Sequence, residues 1–89
     1  NYRLGGRRAL NKEKFVQDCN ESGIVVVRIE VNQNGQVINA TPGVKGTTNS
    51  AACLTDPARR AAMATRFNSD SNAPSRQVGT IIYNFKLSE

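Results

Sequence analysis

The chain has 89 residues and a formal charge of +5, with 38% hydrophobic residues, 6% aromatic residues and no tryptophan. A chain of this length buries only about two-thirds of its unfolded surface, which allows one small domain and excludes a second core. Histidine is absent and no GxxxxGK[ST] or GxGxxG phosphate loop occurs, so we predict neither an enzyme nor a cofactor.

The positive charge is concentrated at the start of the chain. The first fourteen residues carry five basic side chains and one acidic one, whereas the other 75 have seven basic and six acidic ones. Nucleic-acid binding needs a basic surface, usually with stacking aromatics or a reading helix. We therefore predict a nearly neutral body and no nucleic-acid partner. If the arm bound anions, its affinity for them would collapse as the salt concentration rises.

Residues 1–22 are polar and basic, and their best periodic stretch, ALNKEKFV, is short. We interpret them as an arm that packs on the domain through Leu10, Phe15 and Val16. The segment LGGRR lacks the preceding strand and following helix of a phosphate loop, so we interpret it as a flexible basic lead-in. The domain itself is predicted over residues 23–89.

The stretch IVVVRIEVN after Gly23 alternates in the way typical of a β-branched strand. Its predicted buried face carries Val25, Val27, Ile29 and Val31. Asn34-Gly35 is a strong hairpin signal because both residues tolerate positive φ, and VINAT continues as the second antiparallel strand. This strand should end at Pro42-Gly43, since proline cannot donate to the ladder.

A helix is predicted over residues 56–66, with Asp56 as N-cap and Pro57 as the first helical residue. A further turn before Asp56 stays open, because Pro57 would then have to be accommodated. Small side chains at helical spacing form the predicted buried face: Ala58, Ala61, Ala62 and Thr65. The arginines Arg59, Arg60 and Arg66 fall on the solvated faces.

The final stretch GTIIYNFKLSE alternates again. This pattern predicts a half-buried strand over residues 79–87, with one side carrying Ile81, Tyr83, Phe85 and Leu87 and the other Thr80, Ile82, Asn84 and Lys86. A crossover through the helix favours parallel second and third strands, with the first strand between them. The sequence thus predicts an α+β, two-layer fold with a three-stranded antiparallel sheet, order 2-1-3, and one helix on one face.

In this arrangement the last strand is an edge, and the backbone groups of an edge can accept another strand. The residues alone leave two interpretations open. The strand is purely structural, with its edge blunted by Lys86 or covered by the arm, or it binds a partner peptide. The candidate binding residues are Gly79, Thr80, Ile81, Ile82, Tyr83, Asn84, Phe85, Lys86 and Leu87. The backbone of Thr80, Ile82 and Asn84, or of their neighbours, would form the ladder.

The two cysteines, Cys19 and Cys53, fit either a buried free pair or one disulfide. A disulfide would close a loop of about 35 residues and contribute roughly 3 to 4 kcal/mol by the chain-entropy estimate. It would also favour an oxidising compartment. A metal site is not predicted, because two thiols without histidine rarely complete one.

Three stretches together resemble the C-terminal domain of TonB-family energy transducers: GIVVVRIEVNQNGQVINATP, CLTDPARRAAMATRFN and VGTIIYNFKL. The resemblance covers about residues 20 to 87 and rests on their order and spacing. The start GRRAL, the two cysteines and the ending GTIIYNFKL are similar to the Bacteroidetes-like branch. KEKFVQDCN stands where many members have Pro-x-Tyr-Pro, so no contact of that segment is carried over.

The resemblance implies a periplasmic domain on a chain that is anchored in the inner membrane by a segment preceding Asn1. Such a domain passes force from inner-membrane motor proteins to outer-membrane transporters, whose N-terminal segment adds to the last strand, here residues 79–87. A periplasmic setting implies a bond between Cys19 and Cys53. A homodimer by strand exchange stays open. The alternative is a structural or regulatory domain of the same fold, fused to a membrane sensor or peptidase, whose edge binds its own chain or a second copy.

Overall fold

The computed structural model describes residues 2–11 and 19–87. The elements, in chain order, are β1 (Tyr2–Arg3), β2 (Gly23–Val31), β3 (Val37–Pro42), α1 (Ala52–Ala64) and β4 (Gln77–Phe85). The four strands form one antiparallel sheet in the order β1-β4-β2-β3, and α1 packs mainly against β3 and β2. The α+β class is therefore confirmed.

The prediction of a three-stranded sheet is wrong, because the arm supplies a fourth strand. Tyr2 lies opposite Ile81 and Arg3 lies opposite Thr80, so β1 covers β4 at these two positions. The three long strands have the predicted order, with β2 between β3 and β4. β4 is therefore not the last strand of the sheet.

The core lies between the sheet and α1. The inner face of β2 is fully buried, as predicted, and consists of Val25, Val27, Ile29 and Val31. The helix turns its small residues toward this face, and Ala58 and Ala62 are completely buried. β4 continues the face as far as Phe85. Leu87 lies beyond the strand and is 52% exposed, so the predicted strand bounds of 79 and 87 are wrong.

The predicted hairpin connects β2 and β3. The Asn32 carbonyl accepts a hydrogen bond from the Gly35 N–H (3.0 Å), and the Asn32 side chain accepts one from the Gln36 N–H (2.9 Å). Within the hairpin loop only Gly35 has positive φ, at 86°, so the loop is a turn followed by one left-handed glycine and not a turn with two such residues.

The helix begins at Ala52 and ends at Ala64, so the predicted bounds of 56 and 66 are wrong. Pro57 lies inside the helix. The extra first turn is held by Leu54, which is fully buried, and by the disulfide between Cys53 and Cys19, which confirms the predicted bond. The helix stops early because the next N–H groups bond elsewhere: that of Arg66 donates to Asn11 Oδ1 (2.8 Å) and that of Phe67 to the Gly35 carbonyl (2.9 Å).

The prediction that the arm packs on the domain through Leu10 is wrong, and within the described residues Leu4 and Arg7 take that role. Leu10 is 59% exposed, whereas Leu4 and Arg7 are each only 6% exposed. Phe15 and Val16 lie outside the described residues. The apolar side chain of Leu4 fills the space above Gly79, which explains why the arm docks at its beginning.

Candidate functional site

The hydrogen bonds of the neighbouring strand β2 show which backbone groups of β4 face its outer edge. Val26 turns its backbone away from β4: its carbonyl accepts from the N–H of Gly43 (3.0 Å), and its own N–H donates to Thr47 Oγ1 (3.0 Å). Because Val26 lies opposite Ile82 and bonding alternates along an antiparallel pair, Ile82 also turns its N–H and C=O away from β2.

The same alternation places the backbone groups of Thr80, Ile82 and Asn84 on the outer edge of β4. Thr80 lies opposite Arg3 of β1. No strand residue of the described ranges 2–11 and 19–87 lies opposite Ile82 or Asn84 on that side. The predicted ladder residues therefore lie together on one edge, while their role in binding stays a prediction.

The other candidate residues fall into two groups. Ile81, Tyr83 and Phe85 are buried on the helix face and belong to the core. Lys86 and Leu87 follow the strand and are exposed. The backbone groups of the first group turn toward β2, so the accessible chemistry of β4 consists of the main-chain donors and acceptors of Thr80, Ile82 and Asn84.

Gly79 allows β1 to approach β4 closely. A Cβ atom at this position would collide with the carbonyl oxygen of Arg3 and would lie 2.7 Å from Leu4 Cδ1. Gly79, the first residue of the predicted binding strand, thus lies directly beneath the arm. We call residues 2–4, which lie along β4, the strap.

The strap is held by its side chains. Leu4 is buried over Gly79. The ring of Tyr2 meets that of Phe67 edge to face, with a centroid distance of 5.4 Å, and its hydroxyl accepts a hydrogen bond from the Ala9 N–H (3.0 Å). Tyr2 and Leu4 are therefore the two apolar contacts that keep the strap in place.

Arg7 is the most unusual residue of the arm, because its guanidinium is buried and bonded to neutral acceptors. It donates to the carbonyl of Asn68 from Nη2 (2.6 Å) and Nε (3.1 Å), to the carbonyl of Asn32 (3.1 Å) and to Oε1 of Gln77 (3.1 Å). A buried donor that lost these acceptors would keep its full desolvation penalty. Arg7 therefore fixes the arm to the hairpin, to the segment after α1 and to the start of β4.

The next residues of the arm continue this attachment. The N–H of Asn68 donates to the Arg8 carbonyl (3.0 Å), and the N–H of Leu10 donates to the Arg66 carbonyl (2.7 Å). We call residues 7–11 the anchor. The interpretation of LGGRR as a flexible lead-in is wrong for Arg7, and no local signal could have revealed this, because the acceptors of Arg7 come from distant segments of the chain.

The helix-free face of the sheet carries a charged group around Glu30. Its carboxylate accepts a hydrogen bond from the Asn39 amide (3.0 Å) and lies 3.4 Å from Arg28 and 3.5 Å from Arg76. The Asn39 hydrogen bond, followed by the two arginines, lowers the pKa of Glu30 below its ordinary value of 4.5.

We expect Glu30→Gln to destabilise the domain at neutral pH but not in acid. A carboxyl whose pKa is lowered by folding adds stability above its unfolded pKa, and this contribution is lost as the pH falls through the folded value. Urea unfolding of the wild type and the variant from pH 7 to pH 3 should therefore give curves that converge as the pH falls. A constant difference between them would contradict the assignment.

A second surface feature lies between the start of β3 and the end of α1. A shallow groove of about 240 Å³ is lined by Gln36, Val37, Ile38, Met63 and Arg66. Among the described residues, no three histidine, cysteine or acidic side chains are close enough to hold a metal ion, and no helix has the length and apolar character to cross a membrane.

The chain was compared with models of protein families, with curated proteins and with solved structures, and none of them matches. The resemblance described above therefore rests on the quoted residues alone.

Proposed function

We propose that this chain is a non-enzymatic interaction domain of the TonB energy-transducer type, which binds an extended segment of an outer-membrane transporter at the outer edge of β4. One observation carries the proposal. The backbone groups of Ile82 and Asn84 face outward, and within the described residues no strand covers them. An exposed edge of this kind binds peptides through main-chain hydrogen bonds.

Two further features support this proposal. The order of hairpin, helix and final strand agrees with the resemblance to the transducer family. The disulfide between Cys19 and Cys53 suits an oxidising compartment such as the periplasm. We propose that a segment before this chain anchors it in the inner membrane and contacts the motor proteins.

The strap changes how the partner would bind. An incoming segment that pairs with Ile82 and Asn84 can reach Thr80 only where Arg3 leaves. The same edge would fit a strand of a second copy, which is the basis of the alternative function as a structural or regulatory module of a membrane sensor or peptidase. Sedimentation of the free chain tests self-pairing, which predicts a dimer at micromolar concentration, and the peptide titration that follows tests the transducer function.

We expect Ile82→Pro to weaken binding of a transporter peptide at least about tenfold, because it removes one outward N–H and with it one main-chain hydrogen bond. Proline is tolerated where the lost N–H faces away from the neighbouring strand, so the β2–β4 ladder should survive. Amide-resolved NMR titration with a peptide copied from a transporter's N-terminal segment measures the affinity, and a scrambled peptide is the control.

Ile82→Ala is the matched variant, because it loses the side chain but keeps the N–H. It should bind the peptide much as the wild type does. If Ile82→Pro remains folded and binds with unchanged affinity, β4 is not the binding edge. If the amides of residues 79–87 stay still while Arg8 and Arg59 shift equally with both peptides, binding is electrostatic and the proposal fails.

A further inference from the structure

We infer that the strap and the partner compete for β4, and that the strap shows which partner fits: a segment with an aromatic and an aliphatic residue two positions apart, running antiparallel to β4. This inference rests on the proposed function and names the chemistry and the regulation of its site. The partner would displace residues 2–4 while the anchor, residues 7–11, stays attached.

The side-chain contacts of the strap define the chemistry of the segment that replaces it. Tyr2 lies against Phe67, and Leu4 is buried over Gly79, so the two face the same side of the sheet. Arg3 between them is exposed. Successive residues of a strand point to opposite faces, so residues two positions apart share a face. A segment that replaces the strap therefore needs two apolar side chains, two positions apart, to fill the space that Tyr2 and Leu4 leave.

The two glycines after the strap allow it to move without unfolding the domain. Gly6 has φ of 70°, and a Cβ atom there would have no heavy atom within 4 Å. Gly5 has almost as much space, since the nearest heavy atom to a Cβ there would be Gln77 Nε2 at 3.8 Å, and the one hydrogen bond that its carbonyl accepts from this amide (2.7 Å) would break when the strap leaves. Glycine reaches many backbone conformations at little steric cost, so rotation at these two residues can swing the strap away.

The anchor has the opposite character. Arg7 makes four hydrogen bonds to Asn32, Asn68 and Gln77, and the backbone of residues 8–10 bonds to residues 66–68. β1, by contrast, pairs with β4 at only two positions. The weakly paired strap is therefore separated from the firmly attached anchor by the Gly5-Gly6 pair, which is the arrangement that strand exchange requires.

The test is an NMR titration of the full chain with a transporter peptide that contains the aromatic-x-aliphatic pattern. At saturation the amide signals of Tyr2, Arg3 and Leu4 should move to unstructured positions, while those of Arg8 and Asn68 stay in place. The same peptide with both apolar residues changed to serine should bind at least about tenfold more weakly, because it leaves the space over Gly79 unfilled.

Two variants should strengthen binding by releasing the strap. Leu4→Ser removes the buried contact and should raise the affinity about tenfold or more, since it increases the fraction of molecules with a free edge. Its matched control is Leu10→Ser, on the exposed part of the same arm. Arg3→Pro removes the N–H that faces Thr80 without opening the core, and Arg3→Ala is its control.

The outcomes distinguish failure of the inferred competition from failure of the proposed binding function. If the peptide saturates Ile82 and Asn84 while the strap amides keep their positions, or if both releasing variants bind like the wild type, competition is overturned and the binding edge stands. If the serine peptide binds as well as its parent, the inferred chemistry is overturned. If neither the wild type nor the Leu4→Ser chain binds the peptide, the proposed function fails and this inference falls with it.

Discussion

Gly35→Ala is expected to lower the free energy of unfolding by roughly 3 to 5 kcal/mol, which is a large part of the stability of a small domain. Gly35 has φ of 86°, a conformation that costs a residue with a Cβ atom about 1 to 2 kcal/mol. The new Cβ would also collide with the carbonyl of Phe67, which is backbone and cannot turn aside. The variant should therefore be partly unfolded at room temperature, as measured by circular dichroism and urea titration.

Gly43→Ala is the control that separates these two causes. Gly43 also has positive φ, at 80°, but a Cβ atom there would meet no heavy atom within 4 Å. Gly43→Ala should lower the free energy of unfolding only by the conformational strain, about 1 to 2 kcal/mol. Equal losses for the two variants would mean that the contact between Gly35 and Phe67 carries no weight.

The large effect at Gly35 follows from its position at a junction of three segments. The N–H of Phe67 donates to the Gly35 carbonyl, and Gln36 forms a β-bridge with Arg66. On its other side Phe67 forms a bridge with Ala9 of the anchor. The hairpin turn, the segment after α1 and the arm therefore meet around one buried ring, and a shift of Gly35 is passed to the arm that holds the strap.

Local patterns in the sequence predicted the parts of the fold that depend on neighbours along the chain. Alternation identified β2 and β4, the Asn34-Gly35 pair identified the hairpin, and the spacing of Ala58, Ala61 and Ala62 identified the buried face of α1. Each of these signals is local, because it depends only on the spacing of residue types within one helix, strand or turn.

The parts that could not be predicted depend on contacts between distant segments. β1 has two residues, too few to show a period, and it exists because Gly79 leaves room for it. Arg7 is indistinguishable from a surface arginine until its acceptors, Asn32, Asn68 and Gln77, come together. The candidate edge was predictable as a strand, and its cover by the arm was one of the two interpretations that the residues left open. Which residues of the arm cover it, Tyr2 opposite Ile81 and Arg3 opposite Thr80, was not predictable, because pairing between the two ends of the chain leaves no local pattern.

The start of α1 also could not be predicted from its own sequence, because it depends on the disulfide. Asp56-Pro57 is a good local helix start, and it predicts that the helix would begin there if the chain were free. In the folded domain the additional turn contains Cys53, which is bonded to Cys19, and Leu54, which is fully buried. Tertiary attachment therefore extends the helix beyond the point that its own sequence favours.

Replacing Cys19 and Cys53 together by serine is expected to lower the free energy of unfolding by roughly 3 to 4 kcal/mol, because the bond restrains a long loop of the unfolded chain. The two cysteines are 34 positions apart. Urea unfolding of the wild type with and without reductant, beside the double variant, measures the effect. The reduced wild type and the variant should unfold together, and a thiol assay on the unreduced, denatured wild type should find no free thiol.

Hydrogen exchange should show where this loss begins. The first turn of α1 precedes Pro57, whose missing N–H and ring weaken the hydrogen bonding that joins this turn to the rest of the helix. Without the bond at Cys53, the amides of Leu54 and Thr55 should exchange much faster, while those of Ala61 and Ala62 should change only through the lower global stability. Uniform acceleration along the whole helix would instead mean that the disulfide acts only on the unfolded chain and that Leu54 alone holds the first turn.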